Sequence, residues 1–161
     1  MPTGSTSTQI NRPPGEVWAA IADVTRIGQW SPECVAARWV GGATGPAVGA
    51  RFEGDNAVKV AGRTVKKWTT TSEVTAAEHG NRFEFLAEGY TTWRYDLERS
   101  PTGTKVTESF EYEPSKGLQK FVYETLLRRS ASMTTGMQRT LTRLKASLES
   151  SPAGGSEPAG S

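Results

Sequence analysis

The sequence predicts an α+β domain: about seven antiparallel strands, two short helices near the start and one long helix near the end. Three observations predict it. Across Gly117–Leu148, Leu118, Val122, Leu126, Met133, Met137, Leu141, Leu144 and Leu148 recur at spacings of three, four or seven. At ~100° per residue they share one face of a helix. Between Arg82 and Tyr112, apolar and polar residues alternate in three successive segments, the mark of strands with one dry and one wet face. Turn chemistry separates those segments.

Taken in order, Ser5–Asn11 alternates weakly and fits an edge strand. Pro13 and Pro14 suit a helix start, where a missing N–H costs nothing, and Val17, Trp18, Ile21 and Val24 follow at helical spacing, giving a short helix over Pro14–Asp23. Thr25–Trp30 reads as a second short helical turn, broken at Ser31-Pro32. Val35, Ala37 and Trp39 alternate as a strand. Gly41–Gly49 is glycine-rich, but it lacks the Gly-Lys-Ser/Thr ending of a phosphate loop and no helix follows, so it reads as a hairpin connection.

Ala50–Val60 and Thr64–Val74 are strands about the turn Ala61-Gly62, the second ending in a polar turn, Ala77–Asn81, that holds His79. In Arg82–Ala87, Phe83, Phe85 and Ala87 share a face. In Thr92–Glu98, Trp93, Tyr95 and Leu97 do so, and in Lys105–Tyr112, Val106, Glu108, Phe110 and Tyr112. Ser115 is placed to cap the long helix, and Pro152 to end it. The tail from Pro152 to Ser161 is poor in apolar residues and is expected to be disordered.

A chain of 161 residues suffices for one domain with a core, here residues 1–151. A net charge of +2 demands no nucleic-acid partner. The charge is uneven, since Lys116–Glu149 holds seven basic residues against two acidic ones. No apolar run approaches the ~18 residues of a membrane span, and the first residues have no signal-peptide pattern. One cysteine, Cys34, rules out an internal disulfide, and one histidine makes a histidine-based metal site a poor expectation. A cytoplasmic protein without metal or cofactor is expected.

Several motifs carry a resemblance. They are Pro14-x-x-Val17-Trp18 before Asp23, Trp30-Ser31-Pro32-Glu33, Gly49-x-Arg51-Phe52-x-Gly54-x-Asn56, the Trp68…Val74 strand, Trp93-x-Tyr95 and Thr107-Glu108. In this order the sequence resembles the START-like (SRPBCC) superfamily, especially its polyketide cyclase/dehydrase and lipid-transport branch. The resemblance implies the helix-grip (Bet v 1-like) fold, a sheet curled around the long helix with a cavity between them. It does not imply one chemistry, because the superfamily includes cyclases and dehydratases, passive carriers, chaperone cofactors and toxins of toxin–antitoxin pairs.

Phe52, Trp68, Phe83, Phe85, Trp93, Tyr95 and Phe110 are expected to face the helix, either lining a ligand cavity or filling a core. Polar residues of the same parity, Asn56, Thr70, Ser72 and Glu108, favour a cavity, since a dry core penalises unpaired polar groups. Leu126, Ser130, Met133 and Met137 would form the helical wall, and Trp30 with Pro32 a lid or a permanent plug. Glu108 is the strongest candidate for chemistry, because a carboxyl on an apolar wall holds its proton and can exchange it with a carbonyl substrate. The alternative is a structural carboxylate bonded to Arg51, Arg94 or a tyrosine. The basic residues of the long helix read as a solvated face.

Three functions follow as expectations. The first is a carrier for a small hydrophobic, lipid- or polyketide-like ligand, gated at Trp30–Glu33. The second is a cyclase or dehydratase using Glu108, and the third an interaction module such as a toxin–antitoxin member. A homodimer or a protein partner is left open.

Overall fold

Strand alternation sets the architecture. Seven strands form one wholly antiparallel sheet in the order β1-β7-β6-β5-β4-β3-β2. They are β1 (Thr3–Ile10), β2 (Cys34–Val40), β3 (Arg51–Val60), β4 (Arg63–Glu78), β5 (Arg82–Ala87), β6 (Thr91–Ser100) and β7 (Gly103–Tyr112). Between β1 and β2 come α1 (Pro14–Ala22) and a 3-10 turn (Val24–Gln29), and the long helix is α2 (Gln119–Ser150). The computed structural model describes residues 3–32, 34–89, 91–112 and 119–150, with side chains at all of these except 3, 112 and 119–133. The elements match the predicted order. Of the predicted helix features, the cap at Ser115, the tail from Pro152, and the side chains of Leu118, Val122, Leu126 and Met133 lie outside the described residues.

Most boundaries shift from the sequence expectation by one or two residues, and the end of β4 shifts most. β4 does not stop at Val74 but runs to Glu78, pairing Ala76 with Glu84 and Glu78 with Arg82. A bulge between Val74 and Ala76 breaks the two-residue period without ending the ladder. Alternation alone therefore reads the bulge as an end.

α1 is held by its buried face. Val17, Trp18, Ala20 and Ile21 are buried, and Trp18 Nε1 donates to the Arg82 carbonyl at 2.9 Å. Each fully buried aliphatic side chain here stabilises by about 1.5–3 kcal/mol. Asp23 Oδ1 accepts from the Thr25 N–H at 3.2 Å and starts the 3-10 turn.

The C-terminal half of α2 buries Met137, Leu141, Leu144 and Leu148, the last three packing with Ile10, Val17, Ile21, Leu97 and Val106. α2 lies against β1 and β7. Gly4 permits that approach, because a Cβ there would stand 2.6 Å from the Phe110 ring and 3.0 Å from Thr134 Oγ1. Polar contacts fasten the far end: the Asn11 N–H donates to Glu149 Oε2 at 2.8 Å, and Lys145 Nζ donates to the same oxygen at 2.9 Å. Those two donors, Lys145 first, hold the Glu149 carboxyl below its usual range. At the β6–β7 turn, Gly103 is required by crowding, since a Cβ would meet the Ile10 carbonyl at 2.2 Å.

Candidate ligand cavity

Residues two apart on a strand share a face, so each inward residue of β3 to β7 brings its neighbours of like parity to the same side. They leave a cavity of about 240 Å³ between the sheet, α2 and the loop before β2. It is smaller than the ~300–1,000 Å³ of drug-sized pockets, room for a compact molecule or one ring system of a larger one.

Nine predicted residues meet at this cavity: Phe52 and Asn56 from β3, Trp68 and Thr70 from β4, Phe85 from β5, Trp93 and Tyr95 from β6, Glu108 from β7 and Met137 from α2. Ser72 joins them. Phe52 and Phe85 meet edge to face at 5.1 Å, a geometry that fixes both rings.

Three predicted wall residues do not line it. Phe83, two residues before Phe85, is covered by α1 and packs edge-on to Trp18 at 6.4 Å. Phe110 is buried behind Trp93, with ring centroids 5.7 Å apart, where α2 crosses β1. Trp30 is 3 % exposed, packs in the main core and lies under the Arg26 guanidinium at 5.2 Å, away from the cavity lining. Pro32 stands at the cavity instead, its Cγ 3.9 Å from where a Cβ on Gly136 would be. Leu126, Ser130 and Met133 belong to the undescribed side chains, and Glu33 to the undescribed residues.

The sequence reading missed Cys34, Gly54, Thr91 and Thr140, which also line the cavity. Gly54 and Thr91 share parity with Phe52 and Trp93, and Thr140 lies one helical turn from Met137. Their small or polar side chains gave no hydrophobic signal.

The polar wall has two centres. Asn56 Nδ2 donates to the Gly54 carbonyl at 3.2 Å and to Thr70 Oγ1 at 3.3 Å, which orients the amide. Glu108 is 3 % exposed, and its Oε2 accepts from Tyr95 Oη at 3.0 Å. Its other oxygen, Oε1, is buried with no hydrogen-bond partner among the described residues. Burial raises the Glu108 carboxyl to about 8, only partly offset by the Tyr95 bond. Burial, and then the neighbouring Glu108, likewise lift the Tyr95 hydroxyl well above its usual value.

Arg51 and Arg94 do not reach Glu108. They pair with Glu73 at 3.3 Å and Glu84 at 2.6 Å. Of the structural partners the sequence allowed for Glu108, the tyrosine is the one present. Among the described residues no three His, Cys, Asp or Glu side chains gather as a metal site would need, and no helix is long and apolar enough to cross a membrane.

A seven-stranded antiparallel sheet, two short N-terminal helices and a terminal helix beside a half-polar cavity define the class. The chain belongs to the polyketide cyclase/dehydrase and lipid transport family, whose model matches residues 1–149. It is similar to the polyketide-cyclase-like protein Cgl2372 of Corynebacterium glutamicum, at 35% identity over 91% of each chain with a TM-score of 0.62. An AHSA1-like protein of Aeromonas hydrophila matches at 24% identity over 92% of each chain, with a TM-score of 0.64. The protein MLL2253 of Mesorhizobium loti shares the fold at 18% identity, over 93% of this chain and 98% of that one, with a TM-score of 0.64. No protein of curated function matches the sequence.

Proposed function

We propose that the protein binds a small, uncharged hydrophobic molecule carrying one oxygen acceptor, and keeps it from water between the sheet and α2. The observation that carries this reading is Glu108 Oε1, a buried oxygen that has no hydrogen-bond partner among the described residues and stands on a wall of mixed aromatic and polar side chains. A buried polar atom left unpaired costs about 1–3 kcal/mol, and a ligand oxygen would recover that cost. Held near pH 8 by burial, the carboxyl keeps its proton at neutral pH and acts as donor. Phe52, Phe85 and Trp93 would supply the desolvating surface, and Pro32 beside Gly136 the point of entry. Family membership supports a hydrophobic ligand.

Native mass spectrometry of protein purified from its own host tests this, with a co-purifying neutral small molecule as the expected result. A cavity that stays closed to every apolar probe, with no quenching of Trp68 or Trp93 fluorescence, would sink the reading.

A second reading is favoured by the same carboxyl. A proton donor poised near neutral pH suits general acid–base work on a carbonyl compound, as in a cyclase or dehydratase of polyketide-like substrates. Glu108→Gln would then abolish turnover while affinity stays within a few-fold. Undiminished turnover would remove Glu108 from such a mechanism.

A further inference from the structure

The β3–β4 hairpin outruns the rest of the sheet. β2 pairs with β3 no further than Asn56, and β5 pairs with β4 only from Ser72 onward. Between these limits β3 and β4 pair with each other alone, out to Val60 opposite Arg63. Beyond Ala57 and before Trp68 every residue is exposed. A two-stranded ribbon of this kind has no core of its own, so packing does not explain what it carries.

It carries valines and cations. Val58, Val60 and Val65 are 37 %, 60 % and 61 % exposed. Lys59, Arg63, Lys66 and Lys67 are interleaved with them, and no carboxylate occurs between Asp55 and Glu73. Those two flanking acids are engaged elsewhere, Asp55 with Arg38 at 2.9 Å and Glu73 with Arg51 at 3.3 Å. The tip is a two-residue connection, Ala61-Gly62, with φ of 51° and 81°. Positive φ at both positions matches the strand twist and makes a stiff end. At the root, Lys66 Nζ sits 5.3 Å over the Trp68 ring, and Trp68 and Asn56 line the cavity.

We propose that this finger docks on an anionic lipid bilayer, its valines entering the headgroup layer while Lys59, Arg63 and Lys67 meet lipid phosphates. The apolar residues decide between occupants. Nucleic-acid phosphates would use the cations but not the valines, and the finger beyond Trp68 offers no aromatic ring for base stacking. The ten exposed residues Val58–Lys67 are also fewer than the ~20–30 residues a side of a standard protein interface. A bilayer interface uses both features, with charge attraction and apolar insertion adding. Docking there would set the root of the finger, and with it the cavity, next to the lipid. The inference stands on the finger alone and does not require the ligand reading.

The test is co-sedimentation of the intact protein with phosphatidylcholine vesicles, with and without phosphatidylglycerol, at rising salt. Binding to the anionic vesicles alone, weakened by salt, is expected. Lys59→Ala with Arg63→Ala should lower the partition coefficient about fivefold per cation removed. Val60→Ser with Val65→Ser should also lower it, with the circular dichroism spectrum unchanged in both pairs, since neither touches the core. Equal binding to neutral vesicles, or wild-type binding by either pair, would overturn the proposal. So would a loss on cation removal with none on valine removal, which would leave a purely electrostatic contact of the kind duplex DNA or an acidic protein makes.

Discussion

Tyr95 and Glu108 stand directly opposite each other on β6 and β7, and Tyr95 Oη donates to Glu108 Oε2 at 3.0 Å. This cross-strand pair places a carboxyl on the inner face and satisfies one of its oxygens, while the other has no partner among the described residues. Burial is the dominant influence on the carboxyl, and it sets a pH dependence with a definite sign.

Burial raises Glu108 from its usual 4.5 to about 8. Below pH 4.5 the folded and unfolded chains both hold the proton. Between 4.5 and 8 the folded chain binds more protons than the unfolded one, so stability falls as pH rises. Above about 8 the penalty is complete, on the order of 4–5 kcal/mol for a shift of this size. Glu108→Gln keeps the shape and lacks the charge. Its stability relative to wild type should therefore be near zero at pH 4, rise through neutral pH and level off above pH 8. Urea denaturation across that range checks it, and a difference independent of pH would contradict the buried-acid account.

Tyr95→Phe removes the one donor to Glu108 found among the described residues. Because that bond lowers the carboxyl's pKa against the larger effect of burial, its loss should move the titration upward from about 8. The folded state should also lose about 1–3 kcal/mol, the cost of a buried polar group left unpaired. Titration of the Glu108 side-chain carbon signal by NMR reads the first effect and a denaturation midpoint the second. An unchanged titration would mean that water or another group replaces the hydroxyl.

Most of the framework was legible because its signals are periodic. Phe83, Phe85, Trp93, Tyr95, Glu108 and Phe110 alternate on their strands, and all six are largely inward. Periodicity gives the face but not the position along it. Phe83 and Phe85 share parity, yet α1 covers the first and the cavity meets the second, a distinction set by where a distant helix lands. Trp30 shows the same limit, since its sequence position does not reveal that it packs in the main core and not at the cavity. Gly54 and Thr140 were invisible for the opposite reason: a site defined by empty space is lined partly by small residues that leave no mark in a hydrophobic pattern.

Gly4 tests the helix–sheet contact. Its absent side chain lets α2 and Phe110 meet across β1, and an added Cβ would lie 2.6 Å from the Phe110 ring. Gly4→Ala should cost about 1–3 kcal/mol, the usual range for overpacking. A thermal melt checks it. Little change would mean that the amino end of β1 moves away at small cost, so that the β1 pairing at Gly4↔Phe110 contributes little to stability.

Gly136 separates stability from access. It lies within α2 and borders the cavity, where, among the described residues, a Cβ would meet Pro32 Cγ alone, at 3.9 Å, an ordinary contact. Glycine inside a helix is about 0.5–1 kcal/mol less stable than alanine, so Gly136→Ala should raise the unfolding free energy by that much, read from urea denaturation. The same methyl group narrows the gap between α2 and Pro32. If ligand enters there, association measured by stopped-flow quenching of tryptophan fluorescence should slow while the dissociation rate falls in parallel, leaving affinity nearly constant. A more stable variant with unchanged association would place the entrance elsewhere, for instance beside Glu88, which also borders the cavity.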